Sequence, residues 1–174
     1  ATHKQLLGSL SHYKRHAPYY NAVLGLVNQT FEALAESPQP NSLVQLNTCG
    51  LRTVCTYLGI AFDALVASQH PWELPTHMGP GDWAPLMAHQ LGASHYINPV
   101  GGQALFNPAQ FEALGIGLEF LKTEPLLYKT RGVEFAPNMS ILDVLMWNTA
   151  EQVRAHFSCA SEVLKASPQP EGCH

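Results

Sequence analysis

Leu91-Gly92-Ala93-Ser94-His95-Tyr96-Ile97-Asn98-Pro99-Val100-Gly101-Gly102 is the stretch on which the fold turns. A helical pattern runs into Leu91. Gly92 suits the left-handed position just past a helix end, where a side chain would clash. His95 to Ile97 then reads as a short, largely apolar strand. Pro99 has no N–H to give a ladder, and Gly101-Gly102 free the backbone, so the strand stops there. The order is helix, strand, glycine loop, with Asn98 carried into the loop. In open α/β sheets ligands bind beyond the carboxyl ends of strands, which makes this loop the first candidate for a working edge.

The same punctuation recurs on both sides. Leu58-Gly59-Ile60 leads into an apolar run ending at Ser68, and Leu114-Gly115-Ile116 leads into Leu118 to Leu121. The uneven spacing argues against a solenoid. Repeated helix-then-strand units predict an α/β fold: a parallel sheet of at least three strands flanked by helices, with helical N- and C-terminal segments. Right-handed crossovers would bring the loops that begin near Ser68, Asn98 and Lys122 to one edge of that sheet.

Length and composition bound the reading. For 174 residues a single domain is the expectation, here residues 1–166 with a disordered tail at 167–174. Charged residues make up 13% and the net charge is −4, so there is no cationic surplus for a nucleic-acid face. No apolar run nears the roughly 18 residues that span a bilayer, and no secretory signal is visible. Cys49, Cys55, Cys159 and Cys173 lack a framework spacing, which favours reduced thiols and a cytoplasmic location. The chain opens on Ala1-Thr2-His3, which suits a truncated or processed chain as well as loss of an initiator methionine.

Along the chain, residues 4–15 and 19–36 read as helices separated by Ala17-Pro18. Ser42 with Gln45 makes a capping box for a third helix, whose inner face would carry Leu51, Val54, Cys55 and Leu58. Asn47 falls on that predicted face and is either a structural clamp or a site residue, since a buried amide needs partners. Asp82 can cap the helix before Gly92, and Asn107-Pro108 opens a short helix. Ser140 with Asp143 opens the last helix, with Leu142, Leu145, Thr149, Val153 and Phe157 inward.

No nucleophile elbow, phosphate loop, His-Glu-x-x-His or paired Cys-x-x-Cys occurs. Gly101-Gly102 lacks the basic side chain and immediate helix start of a phosphate loop. His12 and His16 could share a helix face, but no third metal ligand lies near, and surface histidines are the better reading. His95, inside a strand, suits packing. His70, in a loop after a predicted strand, could shuttle protons. Asp143 could be acid, base or cap, with capping ahead. Asn138 and Asn148 could present amides to a ligand or serve the backbone.

The stretch from Gly92 to Gly102 resembles the WbqC-like family. So do Phe135-Ala136-Pro137-Asn138-Met139-Ser140-Ile141-Leu142-Asp143-Val144-Leu145-Met146-Trp147-Asn148 and Ala17-Pro18-Tyr19-Tyr20. Asn47 ahead of Leu58-Gly59-Ile60, Ser68, and Asp82 ahead of Leu91-Gly92-Ala93 fit the same pattern. The family is associated with bacterial O-antigen and other surface polysaccharides, and some members are labelled glycine or aminoacyl transferases. Its opening strand and Gln-Pro-x-(Tyr/Phe)-x-Pro motif are not found in this sequence.

The resemblance implies a transferase-like protein of surface-polysaccharide biosynthesis, acting on a small polar or activated-sugar substrate, aminoacyl (glycine) transfer included. Asp143 and His70 are its candidate catalytic groups. Ser68, Asn98, Gly101, Gly102, Asn138 and Asn47 are its candidate substrate contacts, with a pocket expected among Ser68, Asn98, Gly101, Gly102 and Asn138. No metal is expected, the cofactor is unknown, and a homo-oligomer is left open. The alternative is a non-catalytic ligand-binding or scaffold module.

Overall fold

A computed structural model of the chain describes residues 2–166. The tail expected at 167–174, with Cys173, lies outside the described residues. The described residues divide into two compact units, 2–67 with Pro125–Cys159, and Ser68–Glu124 with 160–166.

The first unit is helical. Helix α1 (Thr2–Ser9) tightens into a 3-10 helix over Leu10–Arg15. Gly8 and Ser9 weaken the α-helix there, and the Ser9 hydroxyl turns back to the Gln5 carbonyl. Helices α2 (Tyr20–Ala35) and α3 (Leu43–Leu58) follow, α3 capped by the Ser42 hydroxyl accepting from the Gln45 amide. The Gln45 side chain goes to Cys49 Sγ, so only half of the capping box forms. The buried stripe of α3 runs through Cys49 and Leu58, with Val54 and Tyr57 packed beside it. Gly50 brings α3 close to Thr30 of α2. That stripe corrects the expected inner face: Leu51 is 56% exposed and Asn47 is exposed, so Asn47 is no buried clamp.

The single last helix expected from Ser140 is two helices. The Ser140 hydroxyl caps α6 (Ile141–Trp147), and α7 (Ala150–Cys159) begins two residues after Asn148. The break has a local cause. Gln152 N–H donates to Thr149 Oγ1 and Thr149 N–H to Gln152 Oε1, a reciprocal capping box that restarts the helix. Asn148, 7% exposed, ends α6 with its amide on the Val144 carbonyl. Leu10, Tyr13, Val23, Leu145, Met146 and Val153 form the centre of this core.

The second unit carries a three-stranded sheet, with α4 (Trp83–Gln90), β1 (His95–Pro99), α5 (Pro108–Glu112), β2 (Gly117–Thr123) and β3 (Ser161–Lys165). β1 and β2 are parallel, His95 opposite Gly117, as the two Leu-Gly units after residue 90 predict. Gly92 and Gly115 are left-handed at φ +68 and +69, each closing its helix. The sheet is mixed rather than all parallel, because β3 pairs antiparallel to β2, Phe120 opposite Leu164. β3 reads as a polar alternation, Ser161-Glu162-Val163-Leu164-Lys165, and lacks the apolar run that marks β1 and β2. The core is aromatic: Phe106, Phe111 and Phe120 with Leu118 and Ile116.

The expected first strand, from Ile60 to Ser68, is not a strand. Gly59 forms its left-handed cap at φ +65, but residues 60–66 are irregular and 67–69 turn as a 3-10 helix. An apolar run needs a partner ladder, and this one has none among the described residues: Ile60 and Leu65 stay exposed. The strand-edge argument for Ser68 therefore fails. Asp82 does not cap α4 either. Its carboxylate instead accepts from the Gly79 amide and the Gln110 side chain.

Candidate functional site

The best-defined polar centre in the first unit is Asp143. It sits on the inward face of α6, between residues of an apolar core, and is 9% exposed. A carboxylate in such surroundings needs hydrogen-bond donors. It has three. Tyr13 Oη donates to Oδ1 at 2.6 Å, Trp147 Nε1 to Oδ1 at 3.3 Å, and Tyr128 Oη to Oδ2 at 2.5 Å. Trp147 lies one helical turn along α6, so the helix itself sets that contact. Tyr13 comes from the 3-10 helix, which the Tyr19 amide ties to α6 through the Met146 carbonyl nearby. Tyr128 comes from the loop before α6, steadied by an edge-on contact with Phe135 at 5.0 Å. This arrangement replaces the expected capping role of Asp143: Ser140 is the cap, and the Asp143 side chain points to the aromatic donors.

Burial and the carboxylate beside it push the Tyr13 hydroxyl up to about 12. The same two causes raise Tyr128 further. Both phenols stay protonated, and so stay donors, across the physiological range.

A cavity of about 150 Å³ opens beside this carboxylate, and Tyr13, Trp147 and Asp143 line it. The loop between Tyr128 and Ser140 forms the other wall, through Val133, Glu134 and Met139. His12 also faces it, its ring tilted against the Tyr13 ring at 4.0 Å. His12 Nδ1 meets the Ser9 carbonyl at 2.8 Å, so Nδ1 carries the proton and Nε2 is the acceptor in the neutral ring. The loop is shaped locally by Thr130 donating to the Val133 carbonyl and by Gly132 at φ +71, over which the His16 ring lies.

The remaining sequence candidates are placed as follows. In the first unit, Asn138 is exposed in a turn at φ +58, a left-handed position asparagine tolerates. Asn47 is exposed on α3. Neither lines the Asp143 cavity. In the second unit, Asn98 is the penultimate residue of β1, its amide on the Pro99 carbonyl and its oxygen accepting weakly from Tyr96. Gly102 packs directly on that amide, and a Cβ there would clash with Asn98 Nδ2. Gly101 has open space around it, and neither glycine has a left-handed φ. Ser68 is exposed in the 3-10 turn, and His70 is half-buried against Trp72 at 4.1 Å. His95 is an exposed first residue of β1, its ring over Gly117 and its Nδ1 near Ser94. A second cavity, of about 420 Å³, lies between Pro75, Met78, Asp82 and Leu114. Among the described residues no group of three His, Cys, Asp or Glu is placed to hold a metal ion.

The sequence points to Asp143 but not to its partners. The Asp143–Trp147 spacing is a usable signal. Tyr13 has none, since nothing local ties it to a residue 130 positions away.

The fold is mixed α/β, and a buried carboxylate bound by two phenols and an indole, lining a small cavity, is its candidate polar-ligand site. The chain belongs to the WbqC-like protein family, whose sequence profile matches residues 1–155. No curated protein and no solved structure matches it significantly.

Proposed function

We propose that this chain is transferase-like and serves bacterial surface-polysaccharide biosynthesis, acting on a small polar or activated-sugar substrate at the Asp143 cavity. Family membership supports the pathway. The observation that carries the site is the Asp143 carboxylate, nine-tenths buried, held by three fixed donors and facing a cavity. Holding a charged group out of water in one orientation suits a site that must position a polar substrate. Asp143 acts there as the orienting or proton-accepting group. His70, Ser68, Asn98, Gly101, Gly102, Asn138 and Asn47 remain candidates for other contacts. Free cysteines at Cys49, Cys55 and Cys159 support a cytoplasmic setting. No helix among the described residues is long and apolar enough to cross a membrane.

The second reading, a ligand-binding module without turnover, is favoured by one feature. Asp143's partners are hydroxyl and indole donors, with no nucleophile–base pair among them. Mass spectrometry separates the two. The full chain is incubated with aminoacyl and sugar donors and an acceptor saccharide, as wild type and as Asp143→Asn. Transfer lost in Asp143→Asn supports the enzyme at this cavity. Transfer unchanged in Asp143→Asn removes Asp143 from it. Binding without transfer favours the module.

A further inference from the structure

We propose that the Asp143 cavity receives a primary ammonium group, the amine end of an amino-acid-like or amino-sugar substrate; this rests on reading the cavity as the substrate site. Charge is the first ground. Asp143 is 9% exposed, yet its three partners are neutral. Among the described residues no Lys or Arg lines the cavity, its one basic side chain is His12, whose Nε2 is an acceptor in the neutral ring, and no ion pair reaches Asp143. Neutral hydrogen bonds soften the cost of a buried charge, and a cation that also hydrogen-bonds to it in good geometry offsets more of that cost.

Hydrogen bonding is the second ground. A carboxylate has about four acceptor positions. Tyr13 and Trp147 use Oδ1 and Tyr128 uses Oδ2, which leaves one position on Oδ2. An ammonium supplies both the missing charge and the missing N–H. The walls agree: aromatic rings of Tyr13 and Trp147 favour a cation, and Glu134 adds a second negative charge. Size limits the guest. About 150 Å³ admits a small head group and falls well short of the several hundred Å³ usual for larger ligands. The same field repels phosphate, so the phosphate of an activated donor does not enter here.

The test uses the ¹⁵N-labelled full chain. The indole N–H of Trp147, assigned with Trp147→Phe, reports directly on Asp143, its acceptor. The probes are glucosamine and glycinamide, their neutral counterparts glucose and acetamide, and inorganic phosphate. Saturable shifts with one or both amines, at least tenfold tighter than with the neutral counterparts, are expected, with none from phosphate. Which amine binds tighter assigns the sugar or the amino-acid source. Asp143→Asn should weaken amine binding tenfold or more. Tyr128→Phe keeps the charge and should keep the amine preference, which decides the matter if Asp143→Asn does not fold. No saturable shift with either amine, equal binding of neutral probes, or binding of phosphate overturns the proposal. Transfer from a substrate lacking an amine would overturn it while leaving the transferase reading intact. Amine binding without transfer would do the reverse.

Discussion

Tyr13 Oη donates to Asp143 Oδ1 across 2.6 Å, joining residues 130 positions apart in the chain. This bond ties the N-terminal 3-10 helix to α6 and fixes one edge of the cavity. Two further donors hold the same carboxylate: Tyr128 from the preceding loop and Trp147 from the same helix.

Removing the carboxylate should therefore cost more than any one donor. Asp143→Ala leaves Tyr13 and Trp147 buried without an acceptor and opens a void. About 3 kcal/mol of stability should be lost, since each stranded buried donor costs roughly 1–3 kcal/mol. Tyr13→Phe should cost about 1–2 kcal/mol, and half-buried Tyr128→Phe about 1 kcal/mol or less. Urea midpoints measure all three. An Asp143→Ala midpoint matching wild type would mean that the network adds nothing to the fold.

Alkaline stability should carry the mark of Tyr13. Its pKa is raised from 10.0 to about 12 in the folded chain by burial and by Asp143. Between those values the unfolded chain has lost a proton that the native chain still holds. Stability from this group is full below pH 10 and is lost as pH rises through 12, on the order of 3 kcal/mol in all. Tyrosinate absorbance in the near ultraviolet should show a late-titrating fraction, above the pH of about 10 at which a free phenol ionises. That fraction should shrink in Tyr13→Phe. All tyrosines of the folded chain titrating together, in the range of a free phenol, would contradict the buried bond.

The glycine pair after β1 separates two reasons for having glycine. Neither Gly101 nor Gly102 is left-handed, so a turn requirement does not apply. Gly101 meets open space, whereas a Cβ on Gly102 would run into the Asn98 amide. Gly101→Ala should leave the melting temperature near wild type. Gly102→Ala should lower it, with about 1–3 kcal/mol of stability lost as the Asn98 side chain is forced from its bonds. Asn98→Ala combined with Gly102→Ala should recover part of that loss. Equal effects of the two single changes would show that the contact with Asn98 is not the cause.

How much of this is legible in the sequence follows from what each signal reports. Leu-Gly junctions report helix ends, and Gly59, Gly92 and Gly115 all close helices with left-handed φ. They do not report whether the next run finds a partner. Residues after Gly92 and Gly115 pair with each other, and residues after Gly59 form no ladder among the described residues. β3 is hidden in the sequence because its pattern alternates with charge and gains strand character only from β2. Asp143 stands out through its place near a helix start. Its role is not the expected cap because Ser140, three residues earlier, already supplies one. The donors that give it meaning are long-range, and a single sequence holds no periodicity that links Tyr13 to α6.

The wall of the cavity supplies the last prediction. Gly132 sits at φ +71, and a Cβ there would run into His16 Nδ1. Two penalties therefore meet at one residue: a left-handed backbone and a clash with an imidazole. They can be separated. Gly132→Ala should lose the backbone penalty, on the order of 1 kcal/mol, plus the cost of moving the ring. His16 is exposed, so His16→Ala alone should cost little. In the double variant the clash is gone and only the backbone penalty should remain. The loop carrying Val133 and Glu134 follows Gly132 directly, so Gly132→Ala should also weaken whatever the cavity binds, beyond its effect on folding. Melting curves and binding isotherms on the four chains complete the cycle. Fully additive losses in stability would show that the His16 ring gives way freely, leaving Gly132 explained by its φ alone.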